Sequence, residues 1–204
     1  NQELVNFLAK SGLEKLSLAP ESGSEEIRII IKKKIDYKKF IEAVKMLSKS
    51  KISVGCFIVI GFPEENKKTI WQTIKLVFKL AALGVDDVTV SQYTPYPGSE
   101  IYDELVKKKV FDGNLEEVSD IVSFYSKKRR SYSDQLSPTF THYIMFFMFI
   151  EFYLISFLLR PWKPIGNFIK YIFTGVEKAN YIRFITEMLF TRKKFDTNLN
   201  KNDL

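Results

Sequence analysis

Cysteine is almost missing from this chain: 204 residues contain one, Cys56. That excludes a disulfide framework, and it excludes any zinc or iron–sulfur site ligated by cysteines of this chain alone. Histidine is as scarce, with His142 the sole example, which argues against a multi-histidine metal centre. No basic-apolar-small signal pattern opens the chain, and its first residue is Asn1 rather than Met. The expectation is a piece of a longer protein. Internal repeats and low-complexity tracts are also lacking. What is abundant is apolar: 46% of the residues, against 27% charged. That rules out disorder of the whole chain and allows one globular domain plus an appendage.

The net charge of +7 admits nucleic acid or an anionic membrane as partner. The charge is spread evenly, with 18 Lys and Arg against 14 Asp and Glu in residues 1–109, and 13 against 10 thereafter. Only Lys127-Lys128-Arg129-Arg130 is a dense basic run, so nucleic acid is the weaker reading. Such a run is most often a solvated face, as is Lys32-Lys33-Lys34. The 18 phenylalanines concentrate after residue 140, so the two halves differ in kind.

The first half alternates helical and strand patterns. Leu4, Phe7 and Leu8 share a helical face that Ser11-Gly12 ends. Lys15 to Ala19 reads as a short strand broken by Pro20. Asp36 predicts the N-cap of a helix with Phe40, Ile41, Val44 and Leu47 on its apolar face. Ile52 to Ile60 is a β-branched apolar run suited to a strand covered on both faces. A helix over Lys67 to Leu83 stops at Gly84. Asp87 to Tyr93 is the next strand, and a helix to about Lys109 follows Pro95-Tyr96-Pro97-Gly98. Repeated βα units predict a parallel sheet. Ligand sites of such sheets gather at the carboxyl ends of the strands. Those ends are Pro20 to Ser24, Gly61 to Glu64 and Tyr93 to Pro95, three loops that would converge on one rim.

Plainer readings stand beside this one. Glu21 and Ser22 fit a helix cap, because Ser22-x-x-Glu25 has the capping-box pattern. Gly61-Phe62-Pro63 fits an ordinary turn. Cys56 lies inside an apolar strand and reads as an inert buried thiol, His142 as structural or interfacial, and Asp86-Asp87 as a solvated loop.

The three loops together resemble radical S-adenosylmethionine (SAM) enzymes. Ser17 to Ser24, with Arg28 and Lys33, is similar to their fourth-strand region. Phe57 to Glu65 resembles the fifth-strand motif G-x-I-x-G-x-x-E, with Phe57 in place of the first glycine and Val59 in place of isoleucine, while Gly61 and Glu64 match. Tyr93 to Ser99 resembles the P-x-P-G-T segment after the sixth strand. The resemblance covers about residues 1–109. It implies an α/β fold, the C-terminal half of a (βα)6 partial TIM barrel. It further implies that SAM binds beside a [4Fe-4S] cluster, whose electron cleaves it to methionine and a 5′-deoxyadenosyl radical. The C-x-x-x-C-x-x-C loop that holds the cluster has no counterpart here, so the first strands would lie upstream of Asn1 and this chain alone would be inactive. The resemblance gives Glu21 and Ser22 to ribose hydroxyls or the methionine amino group, Arg28 to the SAM carboxylate, and Val59 and Ile60 to the adenine face. Gly61 would admit that ring closely, Glu64 would hold the loop through backbone hydrogen bonds, and the Tyr93 and Thr94 backbone, stiffened by Pro95, would meet the adenine edge. A reductant such as flavodoxin or ferredoxin is implied as a partner.

The second half is expected to be an apolar, mainly helical extension over residues 113–204, following a radical SAM segment over 1–112. Tyr143 to Leu159 is apolar except for Glu151 and Ser156. Seventeen residues span about 25 Å, short of a hydrocarbon core of roughly 30 Å. Glu151 would cost roughly 2.5–3.5 kcal/mol at its centre, which a dozen large apolar residues about offset. Docking on the barrel or on a membrane surface is favoured over spanning, with Lys127 to Arg130 before and Arg160, Trp162 and Lys163 after as membrane-type flanks. Further helices are expected from Ile165 and around Ile182, Ile185 and Leu189, with a frayed tail from Thr191. The Glu151 to Pro161 stretch resembles the C-terminal helices of cobalamin-binding radical SAM proteins. The expected function is therefore a radical SAM enzyme, with cobalamin as a further cofactor, acting on a small apolar or lipid-like substrate in the cytoplasm or at the inner membrane face. The alternatives are a non-catalytic membrane-associated binding module and an RNA-modifying methylthiotransferase-like protein.

Overall fold

The computed structural model describes residues 1–110 and 131–174. In chain order the elements are α1 (Gln2–Lys10), β1 (Lys15–Glu21), α2 (Glu25–Ile30), α3 (Tyr37–Ser48), β2 (Ser53–Ile60), α4 (Lys67–Leu83), β3 (Asp87–Gln92), α5 (Glu100–Lys107), α6 (Pro138–Leu159) and α7 (Trp162–Thr174). The strands form one parallel sheet in the order β1-β2-β3. This is the expected α/β alternation. The basic run 127–130, the helix around 182–189 and the tail from 191 lie outside the described residues.

Local chemistry sets most boundaries. The Asp36 side chain accepts from the Lys39 N–H and opens α3. Asn66 and Thr69 cap the first turn of α4 reciprocally, and Gly84 at φ +89° ends it in the left-handed conformation that a Cβ would strain. Ser137 caps α6, and Pro138 occupies its first turn, so this helix starts five residues before the expected Tyr143. α7 starts at Trp162 instead of Ile165, because Pro164 falls where the amide hydrogens have no partner within the helix anyway. Pro20 does not end β1. The pairing shifts from Leu18 opposite Cys56 to Glu21 opposite Ile58, three residues against two, and the bulge absorbs the missing donor.

One face of the sheet is packed and the other is open. Val54, Cys56, Ile58 and Ile60 of β2 and Val88 of β3 are buried with Val44 and Leu47 of α3 and Ile70, Val77 and Leu80 of α4. Burial raises the Cys56 thiol to about 12, with the Asp87 charge adding to it, so this cysteine is the expected inert core residue.

α6 belongs to the same core. It packs on α4 and β3, with Met148 and Phe152 fully buried. The Tyr153 hydroxyl donates to Asp87 Oδ1, and Asp86 accepts from the Val54 N–H and from Lys163 Nζ at 2.9 Å. The acidic pair expected to be a solvated loop is thus an internal clamp. Arg160 donates to the carbonyls of Ala82 at 2.8 Å and Ala81 at 3.3 Å, and Lys163 to that of Gly84 at 2.8 Å. These two cations, expected as membrane flanks, neutralise the unpaired carbonyl end of α4. Charge-assisted bonds of this kind are worth about 1.5–3 kcal/mol. Arg160→Ala is expected to lower the unfolding free energy read from urea titration by an amount of that order, and Arg160→Lys to restore part of it.

Candidate functional site

The open face of the sheet carries alternate residues: Ser17 beside Gly55, Phe57 beside Thr89, and Val59 beside Ser91. Phe57 is 44% exposed although it sits mid-strand. Apart from Phe57 the side chains of this surface are small, and the three predicted loops rise from its carboxyl edge.

The first loop is anchored from below. The Ser22 hydroxyl lies 3.1 Å from Thr73 Oγ1 on α4 and accepts from the Ser24 N–H at 3.1 Å, while the Gly23 N–H donates to Thr73 Oγ1 at 3.1 Å. Ser22 is therefore a buried structural hydroxyl, which conflicts with the ribose role expected for it. The capping-box reading fails too, since the N-cap of α2 is Ser24 and its side chain makes no capping bond. Arg28 is buried, donates to the Ser22 carbonyl at 2.8 Å and lies 5.5 Å from the centre of the Tyr37 ring. It braces the loop from within, in place of the expected reach to a ligand carboxylate. Glu21 stays at the rim. Its backbone is left-handed at φ +63°, unusual without glycine, and its carboxylate meets Lys33 Nζ at 3.2 Å.

In the second loop, Gly61 has φ +90°, and an added Cβ would lie 3.4 Å from Thr141 Cγ2 of α6. Glycine is needed here by the positive φ of the turn, while the α6 contact would be an ordinary one for a Cβ. The loop-holding role expected of Glu64 falls on its neighbour. Glu64 is exposed, whereas Glu65 is fully buried and accepts from the N–H groups of Gly61 and Phe62. Burial pushes the Glu65 carboxyl up to about 7, against the lowering effect of those two bonds. The Ser133 hydroxyl donates to the Glu65 carbonyl at 2.6 Å and the Asp134 N–H to that of Pro63 at 3.2 Å, which straps the loop from the α6 side. Val59 and Ile60 separate onto opposite faces: Val59 on the open one, Ile60 in the core, where it cannot reach a ligand.

In the third loop, the Tyr93 N–H donates to the Ile60 carbonyl at 2.7 Å, so it is not available to an adenine edge. The Tyr93 ring packs 4.7 Å from Phe62, and burial raises its phenol above the usual value. Thr94 makes no hydrogen bond among the described residues and keeps its backbone groups, with buried Pro95 behind it. At the carboxyl edge, Ser24 Oγ and Glu65 Oε1 in the first two loops are buried without a partner among the described residues, as is Gln92 Nε2 at the end of β3, on the packed face beside Ile60. Groups in that state ordinarily meet a ligand or an ordered water.

A model of the radical SAM superfamily matches residues 1–77. This chain carries part of a radical SAM domain. It is 26% identical over 113 residues to the anaerobic magnesium-protoporphyrin IX monomethyl ester cyclase of Cereibacter sphaeroides, covering 55% of this chain and 18% of the relative. It is 32% identical over 107 residues to an uncharacterized methyltransferase of Pyrococcus horikoshii, covering 50% and 22%. It is 26% identical over 144 residues to the tRNA-2-methylthio-N(6)-dimethylallyladenosine synthase of Bacillus licheniformis, covering 67% and 28%. The chain spans less than a third of the length of each. Radical SAM membership implies SAM and a [4Fe-4S] cluster, and the two fit this chain differently. The open face, the left-handed Gly61 and the unpartnered rim atoms suit an adenosyl group. The cluster does not fit: the single cysteine is buried in the packed core, and no His, Cys, Asp and Glu cluster suited to a metal occurs among the described residues.

Glu65, Thr73, Ser133 and Thr141 were not among the residues expected at this site. The adjacent pair Glu64-Glu65 was the one sequence signal for Glu65; only burial tells the two apart.

Proposed function

We propose that this chain supplies the C-terminal half of the (βα)6 SAM cradle of a radical SAM enzyme, with residues 113–204 as its helical extension. The observation that carries the reading is the uncovered sheet face ringed at its carboxyl edge by three loops, with Ser24 Oγ and Glu65 Oε1 in the first two left without a partner among the described residues. SAM bound there would supply a 5′-deoxyadenosyl group. This chain's own part is to hold the adenosyl end: Val59 against the ring, the Gly61 turn beneath it, the Thr94 backbone at its edge, and Glu21 at the ribose. Within that class, the finer reading is cobalamin-supported methyl transfer to an apolar or lipid-like substrate. A relative named as a methyltransferase and the aromatic-rich helices α6 and α7 support it.

SAM titrated into the protein carrying this chain tests the cradle. Val59 is partly exposed on the open face, so Val59→Glu leaves the core intact and sets a charge against the ring. SAM affinity is expected to fall at least about tenfold, the loss for burying an unpaired charge in part. Unchanged affinity, with an unchanged unfolding midpoint, overturns the placement.

A further inference from the structure

α6 is apolar all round, yet only half of it is covered. Thr141, Met145, Met148, Phe152 and Ile155 recur at spacings of three and four and face α4 and β3. Phe147, Ile150, Leu154 and Leu158 recur on the opposite side and are each about half or more exposed. A helix that is hydrophobic all round is ordinarily buried by something on every side. The row continues past Arg160 onto exposed Trp162 and then along α7 through Ile165, Ile169, Ile172 and Phe173. It also continues onto α4, which packs beside α6 and exposes Trp71 and Phe78.

Beyond Trp71 and Phe78 the surface turns cationic. The exposed side of α4 bears Lys67, Lys68, Lys75 and Lys79 and no carboxylate. Lys79 lies 5.1 Å from the Tyr37 ring centre, on the α3 side, and Lys75 Nζ lies 5.6 Å from the centre of the Trp71 ring, so cations flank the apolar strip directly. Across α4, α6 and α7 the one acidic residue is Glu151, whose carboxyl burial raises to about 7. An apolar strip with tryptophan at its margins and an acid-free lysine border is complementary to one kind of partner. We propose that this face seats on an anionic membrane surface, with α6 and α7 lying in the plane of the acyl boundary and the α4 lysines among the headgroups. In-plane seating is required by the rest of the fold. A spanning α6 would have to break the Tyr153–Asp87 and Arg160–Ala82 bonds and uncover Met148 and Phe152. The proposal concerns the outer helical layer and stands apart from the cofactor reading.

Flotation of the full protein with vesicles tests it, comparing phosphatidylcholine alone with phosphatidylcholine containing phosphatidylglycerol. Binding to the anionic vesicles is expected, weakened by salt. The double variant Phe147→Glu/Leu154→Glu changes exposed side chains only, so its circular dichroism should match the wild type while vesicle binding is lost. Lys68→Glu/Lys75→Glu should weaken anionic-vesicle binding by at least about fivefold per lysine, the value of one basic residue near such a surface. Three results would overturn the proposal: no binding to either vesicle; salt-steep binding to RNA with none to vesicles; or a concentration-dependent dimer that Phe147→Glu/Leu154→Glu abolishes while vesicles remain unbound.

Discussion

Gly23→Ala is expected to be the most damaging single substitution in this chain. An added Cβ there would sit 2.3 Å from the Gln72 carbonyl oxygen and 2.6 Å from Thr73 Cα, both main-chain atoms of α4. No side-chain rotation relieves such a contact; either the loop lifts or the helix moves. Lifting the loop breaks the Ser22–Thr73 and Gly23–Thr73 hydrogen bonds and strands the buried hydroxyl of Ser22. Overpacking of this kind costs about 1–3 kcal/mol, and each stranded buried group adds about 1–3 more. Urea unfolding should show a loss of more than about 3 kcal/mol. The internal control is Gly166→Ala in α7, where an added Cβ meets nothing within 4 Å. There the helix should gain about 0.5–1 kcal/mol. Equal effects at the two positions would mean that the β1–α2 loop is not seated on α4.

The sequence made Gly23 look interchangeable with any loop glycine, and this marks where local reading stops. The start of α3 and the span of α4 were legible because these ends rest on chemistry within three or four positions: Asp36 to Lys39, and Gly84 after Leu83. The open face of the sheet was not legible: the unbroken apolar run of β2 read as covered on both faces and put Val59 and Ile60 together on the adenine, whereas the strand sends them to opposite sides. What could not be read depends on contacts far apart in the chain. Arg28 and Ser22 look like ligand groups until their partners are located, the Ser22 carbonyl and Thr73. Arg160 and Lys163 look like membrane flanks until the α4 carbonyls 78 and 79 residues away are found beneath them. Pro20 looks like a strand breaker unless the bulge is known. Arg28, Ser22, Arg160 and Lys163 were all assigned outward, to ligand or membrane, while the fold uses them inward to hold elements together.

Glu65 is the position where stability, pH and the proposed site meet. Its carboxylate ties the Gly61 and Phe62 amides, which places the turn at the end of β2 under the open face. Glu65→Ala leaves both buried amides without an acceptor, at about 1–3 kcal/mol each, and should both destabilise the protein and loosen SAM. Glu65→Gln keeps an oxygen for the amides and removes the titration, so the two variants separate geometry from charge. In the folded chain the carboxyl is held at about 7, above its ordinary value of 4.5, by burial that outweighs the two amide bonds. The folded state therefore holds this proton more tightly than the unfolded state. The contribution is complete below pH 4.5, declines as the pH rises, and is gone once the pH passes about 7. A shift of this size corresponds to about 3 kcal/mol across the window. Wild-type stability should therefore fall between pH 4.5 and 7, whereas Glu65→Gln should be flatter there by that amount and should match or exceed wild type above pH 7. If Glu65→Gln keeps the wild-type slope, Glu65 is not the group that titrates. If Glu65→Ala is neutral at every pH, the loop is held by the Ser133 and Asp134 strap instead, and the clamp assigned to Glu65 falls with it.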